Sequence, residues 1–511
     1  MEFTRQDEVE RKYQVDPSTI MPSLAEVAGV ASVSQPVEHR LEALYFDTAG
    51  LDLAQQGVTL RRRTGGDDAG WHLKLPGGPD TRTEVRLPLG RTSATVPPVL
   101  LESVRAVVRD RPLAPVARLR TRRCQRDVLA EDGTVLAQLC DDEVRADRLL
   151  GSGGSESWRE WEVEVRGGHT DLLPAVEACL LHAGARPAEH GSKLMRALGD
   201  AAATSASAPS TVKGLKPDRA AAVLLAYLEQ HLSELHRQDA HVRAEHGESV
   251  HKMRVATRRL RSALTTYRPL FAPGTTDVLR EELRWLGQSL SEARDAQVLR
   301  ERLDRLVAAE PVELVMGPVA ARLDRELGAR EQGGREMALE ALNSARYYRL
   351  LDALDQVVAS PALAADAEGR AVKVVPRLIQ RDAKGLRRAV KAIVRAADAH
   401  DRDLAFHEAR KKAKRLRYAA ESAFPVFPQR ATALASAAEA VQGVLGEHQD
   451  TVVARQTLRE CGVSAHLSGE NGFTFGRLHA LEQKRAAELE QGFADVWEDF
   501  PRGGMRRWLR S

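Results

Sequence analysis

The spacing of hydrophobic residues differs between two parts of the chain. Up to about residue 200, short segments alternate apolar and polar residues, as in VTLRRR, WHLKLP, RTEVRLPL and WREWEVEV. A period of two is typical of β-strands that bury one face, and turn signals such as GGDDAG separate the segments. The pattern therefore predicts an antiparallel sheet or barrel in this part of the chain.

In the remainder, Leu, Ala and Val recur at helical spacing over long stretches, which predicts an all-α domain. Between the two parts lies DAAATSASAPSTVKGLKPD (200–218), rich in Ala, Ser, Pro and Gly and without a period. Such a composition is typical of a linker. We predict a β-rich domain over residues 1–200, a linker over 201–213 and a helical domain over 214–505.

The helical part contains a repeat. HKMRVATRRLRSAL (251–264) returns as HEARKKAKRLRYAA (407–420), 156 positions later. LSEARDAQV (290–298) returns as LGEHQDTVV (445–453), 155 positions later. One structural unit is therefore predicted to occur twice. The two predicted repeats cover about residues 214–360 and 370–505.

Composition limits the class of protein. The chain has 511 residues, 43% of them hydrophobic, which is enough for several packed domains. Its net charge is only +3, so attraction to polyanions must come from local clusters of charge. Four widely spaced cysteines favour neither a zinc site nor a disulfide framework. The first residues lack the apolar core of a signal sequence, and no apolar run is long enough for a membrane span, so we expect a cytoplasmic protein.

The charged residues of the predicted strands fall on one face. Glu8, Glu10 and Lys12 lie two residues apart, so a strand directs them to the same side. The same spacing joins Arg61 with Arg63, His72 with Lys74, Arg82 with Glu84 and Arg86, Arg118 with Arg120 and Arg122, and Glu160 with Glu162 and Glu164. A half-exposed sheet also alternates in this way, but here carboxylates occupy the first and last strands and mostly cations lie between. A sheet curled with these faces inward would form a tunnel that holds oxyanions and a hard divalent metal, Mg²⁺ or Mn²⁺.

Glu8-x-Glu10-x-Lys12 resembles the ExExK signature of the CYTH superfamily, the triphosphate tunnel enzymes. Further segments follow in that family's order: YFDT (45–48), VTLRRR (58–63), HLKL (72–75), TEVRL (83–87), WEVEV (161–165) and GSKLMRAL (191–198). The resemblance implies an eight-stranded antiparallel β tunnel that binds a linear triphosphate and a divalent metal. Arginines and metal ions would neutralise the phosphates so that water can attack, which predicts hydrolysis to diphosphate and phosphate.

The resemblance also implies a role for each matching residue. The catalytic residues would be Glu8, Glu10 and Lys12. The metal ligands would be Glu8, Glu10, Glu162 and Glu164. The phosphate-binding cations would be Lys12, Arg61, Arg63, Lys74, Arg86, Arg120, Arg122 and Lys193. An acidic strand-end residue would be either Asp141 or Asp142, and the sequence does not decide between them.

A basic stripe runs along each copy of the repeated helix. At about 100° per residue, one sector of the first copy holds His251, Arg254, Arg258 and Arg261, opposite an apolar side. The second copy places His407, Arg410, Lys414 and Arg417 on its own sector. RLIQRDAKGLRR adds Arg377, Arg381, Lys384 and Arg388 at compatible spacing. Acids that would pair with these cations along the helix are nearly absent, which favours an external anion over a solvated face. Each histidine has a second interpretation, as a capping or core residue.

The repeat resembles the CHAD domain, a helical module often joined to CYTH domains. The match includes both basic stripes, SARYYRL (344–350) and FGRL (475–478). The resemblance implies two pseudo-symmetric four-helix bundles, with basic helices lining a groove that binds inorganic polyphosphate. Few aromatic residues accompany the stripes, so nucleic-acid binding by base stacking is poorly supported.

The sequence thus favours a metal-dependent triphosphatase, with inorganic tripolyphosphate as substrate, joined to a polyphosphate-binding domain. The alternative is a non-catalytic polyphosphate-binding scaffold or a protein of polyphosphate granules. The sequence does not determine which triphosphate is preferred, whether long polyphosphate is cleaved, the domain orientation or the oligomeric state.

Overall fold

The structure, a computed structural model, describes residues 4–25, 27–76, 80–90, 95–151, 153–199, 215–243 and 248–501. The chain divides into two compact units, Met1–Ala208 and Pro209–Ser511. The predicted linker over 201–213 lies outside the described residues. Among the helices described, none carries an apolar stretch of the length needed to cross a membrane.

The N-terminal unit is a closed antiparallel β-barrel. Its strands are β1 (Thr4–Val15), β2 (Ser32–Val33), β3 (Val37–Asp47), β4 (Thr59–Thr64), β5 (Gly70–Pro76), β6 (Thr81–Leu87), β7 (Ala114–Leu129), β8 (Val135–Arg148), β9 (Gly154–Val165) and β10 (Arg186–Pro187). Eight strands follow one another in the order β1-β6-β5-β4-β3-β7-β8-β9, and β9 pairs with β1 to close the ring. The short strands β2 and β10 pair with β7 and β1. The predicted eight-stranded antiparallel barrel is confirmed.

Short helices bury the apolar faces of these strands. The helices of this unit are α1 (Asp52–Gln55), α2 (Pro98–Val108), α3 (Leu173–His182) and α4 (Lys193–Leu198). On the outside, α2 belongs to the core that contains Trp71, and α3 to the core that contains Trp161. Because strand residues alternate between faces, covering the apolar side from outside leaves the charged side inside. At one end of the barrel, α4 instead packs Leu194 and Leu198 into a core with Leu119 of β7.

The C-terminal unit is all-α. The α-helices of its described residues are α5 (Ala220–Arg243), α6 (Ser249–Thr266), α7 (Asp277–Ser289), α8 (Ser291–Ala308), α9 (Val319–Leu342), α10 (Ala345–Ala359), α11 (Ala371–Val394), α12 (Ala399–Glu421), α13 (Pro428–Leu467) and α14 (Phe473–Glu498). The copies differ where the sequence offset changes. In the first copy α7 and α8 meet at Leu290, whereas the corresponding Leu445 lies inside the 40-residue helix α13.

These helices form two four-helix bundles, and each bundle takes two helices from each repeat. Helices α5 and α6 of the first repeat contact α11 and α12 of the second. Helices α8, α9, α13 and α14 share one hydrophobic core, in which Leu303, Leu323, Leu458 and Leu478 are fully buried. Two bundles were predicted and are present, with the repeats interleaved rather than forming one bundle each. As a result the two basic helices, α6 and α12, lie side by side.

Candidate functional site

The cavity inside the barrel is lined mainly by charged side chains. The charged and polar lining residues are Glu8, Glu10, Lys12, Tyr45, Thr59, Arg61, Arg63, Asp68, Lys74, Arg82, Glu84, Arg86, Thr121, Arg123, Glu162, Glu164, Ser192 and Lys193. The structure therefore brings together the four predicted metal ligands and, except for Arg120 and Arg122, the predicted phosphate-binding cations. It adds Tyr45, Arg82, Glu84 and Arg123, and Arg82 and Glu84 already shared a predicted strand face with Arg86.

One side of the cavity is a carboxylate wall, formed by Glu8 and Glu10 of β1 and by Glu162 and Glu164 of β9. The two strands pair directly, with Glu10 opposite Glu164. Lys74 Nζ lies 2.5 Å from Glu8 Oε2, and Lys12 Nζ donates to Glu10 Oε1 at 2.8 Å. Burial raises the pKa of Glu10, but the ammonium groups of Lys12 and Lys74 outweigh burial and lower this pKa to about 2. Glu10 is therefore ionised at neutral pH.

Glu8 differs from Glu10 in its electrostatic surroundings. Burial and the neighbouring carboxylate of Glu84 raise the pKa of Glu8, against the opposing charge of Lys74. Arg86 Nη2 donates to Glu8 Oε1 at 2.8 Å and its Nε donates to Glu84. Glu84 in turn is held by His72, whose Nδ1 lies 2.9 Å from Glu84 Oε1. Fully buried Glu84 therefore orients Arg86 and His72 within the barrel wall.

Three arginines form an arginine wall: Arg61 and Arg63 of β4 and Arg123 of β7. Arg61 Nη1 donates to Tyr45 Oη at 3.2 Å, and Arg63 pairs with Asp68. The Nε atoms of Arg61 and Arg63 are buried and find no hydrogen-bond acceptor among the described residues. Burial lowers the pKa of Arg63, and the charges of Arg61 and Arg123 lower it further, to about 9. The protein therefore neutralises the charge of Arg63 incompletely, which suits an anion, whereas for Arg123 the effect of burial on the pKa is outweighed by the opposite charge of Asp142.

Lys193, the first residue of α4, stands among buried carboxylates. Its Nζ lies 2.9 Å from Asp142, 2.7 Å from Glu160 and 2.6 Å from Glu162. Asp142 also accepts two hydrogen bonds from Arg123, at 2.8 and 2.6 Å. Asp141 instead pairs with Arg159. The structure thus decides the alternative that the sequence left open, because Asp142 pairs with the lining residues Arg123 and Lys193.

The carboxylates of the barrel offer the oxygen ligands that a hard divalent metal prefers. Within the described part of the barrel, one group of ligand atoms lies mutually within 4.8 Å: Asp142, Glu160 and Glu162. Of the four predicted ligands, only Glu162 belongs to this group, while Glu8, Glu10 and Glu164 line the cavity with it. The donor set therefore fits Mg²⁺ or Mn²⁺, although its residues are paired with lysine or arginine in the protein alone.

The prediction that Arg120 and Arg122 face the tunnel is wrong. Arg120 pairs with Glu42 and Asp147 on the outer surface, and Arg122 with Glu38 and Glu143. Their side chains are 47% and 50% exposed. The inward residues of β7 are Leu119, Thr121 and Arg123. Sequence reasoning assumed that apolar strand residues face outward. At this end of the barrel, however, Leu119 packs inward against α4, so an apolar residue lies on the inner face. The paired Arg122 and Arg123 gave no signal to distinguish the faces.

In the helical unit, four cations converge between α6 and α12; we call Arg254, Arg258, Arg410 and Lys414 the cationic cluster. Burial lowers the pKa of Lys414, and Arg410, Arg258 and Arg254 lower it further, to about 7. The buried Nε atoms of Arg258 and Arg410 find no hydrogen-bond acceptor among the described residues. Arg254 is the exception, since it donates to Asp295 at 2.9 Å. Like charges are therefore gathered with too few acids to balance them.

The predicted histidines accompany this cluster. Burial and the charges of Arg294, Arg258 and Arg254 lower the pKa of His251. Burial also lowers the pKa of His407, with a contribution from Lys411 and Arg410. His407 Nδ1 lies 2.6 Å from the amide oxygen of Gln449. Both imidazoles are therefore neutral at physiological pH, which makes them hydrogen-bonding groups beside the cations rather than additional charges.

The other predicted cations of this unit are arranged differently. Arg261 is partly buried. Burial lowers its pKa, and the charges of Arg415, Arg284 and Arg258 lower it further. Arg417 does not join the cluster, because Glu421 and Glu439 each accept from it at 2.9 Å. The stripe on α11 is exposed and forms no ion pair within the described structure; it comprises Arg377, Arg381, Lys384 and Arg388. Sequence spacing found the helical faces but missed Arg284, Arg294 and Arg415, which come from different turns and helices.

Family models match both parts of the chain. The CYTH domain model matches residues 6–186, and the CHAD domain model matches residues 226–459. A relative in Mycobacterium tuberculosis, Uncharacterized protein Rv2226, is 42% identical over 497 residues, which covers 95% of this chain and 94% of the relative. The alignment with this relative therefore includes both the barrel and the helical domain.

Solved structures resemble each part separately. The CHAD domain from the plant Ricinus communis is 28% identical, with a TM-score of 0.45, and covers 55% of this chain and 93% of that chain. HpAC1 from Hippeastrum, described as having a dominant triphosphatase activity, is 20% identical with a TM-score of 0.24; the match covers 37% of this chain and 94% of that chain.

Proposed function

Because this chain belongs to the CYTH family through its barrel and to the CHAD family through its helices, we propose that it combines two activities. The barrel hydrolyses a linear triphosphate, and the helical domain binds inorganic polyphosphate. In the reaction, water adds to a terminal phosphorus, one P–O–P bond breaks, and the products are diphosphate and phosphate. The polar lining of the cavity favours inorganic tripolyphosphate over a triphosphate that carries an apolar organic group.

The observation that supports the barrel activity is the presence of both arginines and carboxylates in the lining of one cavity. Arg61, Arg63 and Arg123 form one wall, and the four glutamates of β1 and β9 form another. Phosphoryl transfer depends mainly on positioning and on neutralising the phosphate charges, which would otherwise repel the attacking oxygen. Cations on fixed strands of a closed barrel provide that positioning, because their guanidinium groups are held before the substrate binds.

The predicted residues that line the cavity have a place in this mechanism. The arginine wall would bind phosphate oxygens, for which the guanidinium fork is suited. Glu8, Glu10, Glu162 and Glu164 would hold Mg²⁺ or Mn²⁺. When bound, such an ion would neutralise phosphate charge and lower the pKa of a coordinated water. Lys12, Lys74 and Lys193, which neutralise these carboxylates in the protein alone, would then contact phosphate oxygens.

A non-catalytic polyphosphate-binding scaffold is the second candidate. The pairing of the inner carboxylates with lysine and arginine favours it, because the barrel already balances its acids without a metal. Such a barrel would bind a polyanion through its arginines and release no phosphate. The two functions therefore differ in one measurable property, metal-dependent turnover.

The test is phosphate release from tripolyphosphate by the full chain, with Mg²⁺, with Mn²⁺ and with neither. We expect metal-dependent turnover that Glu10→Gln lowers on the order of a hundredfold, because it removes a charged ligand from the cavity. Glu38→Gln is the matched control, since Glu38 lies on the outer surface with Arg122. A wild-type chain without turnover in either metal would establish the scaffold instead. Equal turnover in both variants would overturn the assignment of the carboxylate wall.

The polyphosphate-binding activity is supported by the cationic cluster. A linear polyanion carries about one charge per phosphate and would supply the acceptors that the buried Arg258 and Arg410 Nε atoms lack. Nucleic acid would supply phosphates as well, but residues 251–264 of the first basic helix contain no Phe, Tyr or Trp on which bases would stack.

A further inference from the structure

Lys414 is a partly buried cation whose interacting charged neighbours are mostly arginines. It lies on α12 one turn after Arg410, and Arg254 and Arg258 of α6 face it from the neighbouring helix. In the part of the chain that the structure describes, no carboxylate forms an ion pair with its ammonium group. The same position in the first repeat is Arg258. One half of the pseudo-symmetric cluster therefore uses a lysine where the other uses an arginine.

The acids near Lys414 do not compensate for these neighbours. Asp295 on α8 is occupied by Arg254, whose Nη2 lies 2.9 Å from it. Asp450 on α13 also interacts electrostatically with Lys414. However, burial raises the pKa of Asp450, and this carboxylate interacts more strongly with Arg410 and Arg302 than with Lys414. His251 and His407 have lowered pKa values and are neutral at physiological pH. Three guanidinium charges therefore face one amine.

Lysine and arginine respond differently to such crowding. A guanidinium keeps its proton in proteins, so repulsion persists between Arg254, Arg258 and Arg410. An amine can relieve the repulsion by releasing its proton, and burial favours that neutral form. The pKa of Lys414, lowered to about 7 by burial first and then by the three arginines, means that a large fraction is uncharged at neutral pH.

We propose that binding of inorganic polyphosphate to the cationic cluster is coupled to proton uptake by Lys414, so that this residue makes the affinity depend on pH. The inference rests on the proposed polyphosphate binding. Phosphate oxygens beside the amine supply the missing countercharge and favour its protonated form, and by reciprocity protonation favours the bound anion. Affinity is therefore full below the pKa of Lys414 in the free protein and falls as pH rises above it. Arg258 in the other repeat supplies charge that does not vary with pH.

The test is calorimetric titration of the full chain with inorganic polyphosphate, in buffers that differ in ionisation enthalpy, which yields the number of protons taken up. The matched variant is Lys414→Arg, which keeps the charge and cannot release it. For the wild type we expect proton uptake and an affinity that falls on the order of tenfold from about pH 7.5 to about pH 8.5. For Lys414→Arg we expect tight binding at both pH values and no uptake from this site. Equal uptake and equal pH dependence in the two proteins would overturn the proposal.

A second measurement separates this inference from the proposed function. Acetic anhydride labelling of the ligand-free chain across a pH series, read by peptide mass spectrometry, reports when each amine loses its proton. We expect Lys414 to become reactive near neutral pH, well before the exposed Lys411 three residues earlier. If the two lysines titrate together, the coupling is wrong even if polyphosphate binds. If Lys414 titrates early but polyphosphate does not bind near pH 6.5, the proposed binding function is wrong, and the coupling with it.

Discussion

Lys193 Nζ lies 2.6 Å from Glu162 Oε1 inside the barrel, and the same ammonium group contacts Asp142 and Glu160. One side chain from a short helix therefore holds together carboxylates of two adjacent strands, β8 and β9. Asp142 and Glu162 are nearly inaccessible to solvent, so their charges depend on protein partners rather than on water.

Lys193→Met is expected to destabilise the barrel by about 3–5 kcal/mol, because it leaves buried Glu160 without an ion pair among the described residues and removes one cation from Asp142 and Glu162. We further expect Mn²⁺ to restore part of this loss, since the oxygens of Asp142, Glu160 and Glu162 lie within 4.8 Å of one another. Differential scanning calorimetry of the full chain with and without Mn²⁺ measures both effects. Lys384→Met, at an exposed position of α11, is the control and should change stability by less than about 0.5 kcal/mol. A Lys193→Met barrel as stable as the control would contradict the role of this contact.

Arg123→Lys and Arg122→Lys are expected to differ strongly although the residues are neighbours. Arg123 donates two hydrogen bonds to Asp142 and one to Glu162 inside the barrel, which a lysine does not reproduce. Steady-state hydrolysis of tripolyphosphate should therefore fall by about ten- to a hundredfold in kcat/KM for Arg123→Lys. Arg122→Lys should be unchanged, because Arg122 is half exposed on the outer surface. A larger loss of kcat/KM for Arg122→Lys than for Arg123→Lys would instead support the prediction from sequence that Arg122 faces the tunnel.

Arg258→Ala is expected to weaken polyphosphate binding on the order of tenfold and to reduce the salt dependence of the affinity, because a cation without a protein acceptor is lost. Arg417→Ala provides a matched comparison on the predicted stripe. Its guanidinium is already occupied by Glu421 and Glu439, so we expect little change in affinity. Titrations at several salt concentrations measure both quantities. Similar losses in the two variants would mean that the whole stripe, and not the cationic cluster, contacts the anion.

Lys414→Met is expected to change the stability of the ligand-free helical domain in a pH-dependent way. The pKa of Lys414 is about 7 in the folded protein, below its ordinary value of about 10.4. The unfolded chain therefore binds this proton more tightly, and wild-type stability rises with pH between these two values.

Lys414→Met removes that slope, so it should stabilise the domain most at about pH 6.5 and progressively less as pH rises. Denaturant unfolding at about pH 6.5 and about pH 9 measures the difference. Parallel stability curves for the two proteins would show that Lys414 keeps an ordinary pKa. Since the same variant removes a cation from the cluster, its gain in stability should accompany weaker polyphosphate binding, as expected for a site that stores like-charge repulsion.

The period of two over residues 1–200 predicted an antiparallel sheet or barrel with its charges on one face, and the resemblance to CYTH domains implied the closed tunnel and its lining. The period of two succeeded for β1, where Glu8, Glu10 and Lys12 alternate with residues such as Tyr13 that pack outside. It failed for β7, where Arg122 and Arg123 are adjacent and either face is polar enough to be the inner one. The failure has a local cause, because α4 fills one end of the barrel and turns Leu119 inward. No property of the β7 sequence alone contains that information.

In the helical unit, the repeat in the sequence identified the two basic helices, and helical spacing identified which side of each helix is cationic. That information is local, since it depends only on the rotation per residue. The partners of each cation are not local. Arg417 meets Glu439 from the next helix, whereas Lys414 meets arginines from the other repeat. Only the interleaved packing of the bundles decides which cations stay without a carboxylate.

The sequence by itself determined the periodicity, the duplication and the faces on which charge accumulates, because these follow from backbone geometry along a single strand or helix. The tertiary structure decided which charges are neutralised, since ion pairs form between residues distant in sequence and their strength depends on burial. Asp142 rather than Asp141, Arg123 rather than Arg122 and Lys414 rather than Arg417 were selected in this way. The proposed functions depend on unbalanced charge, which only the folded arrangement of strands and helices produces.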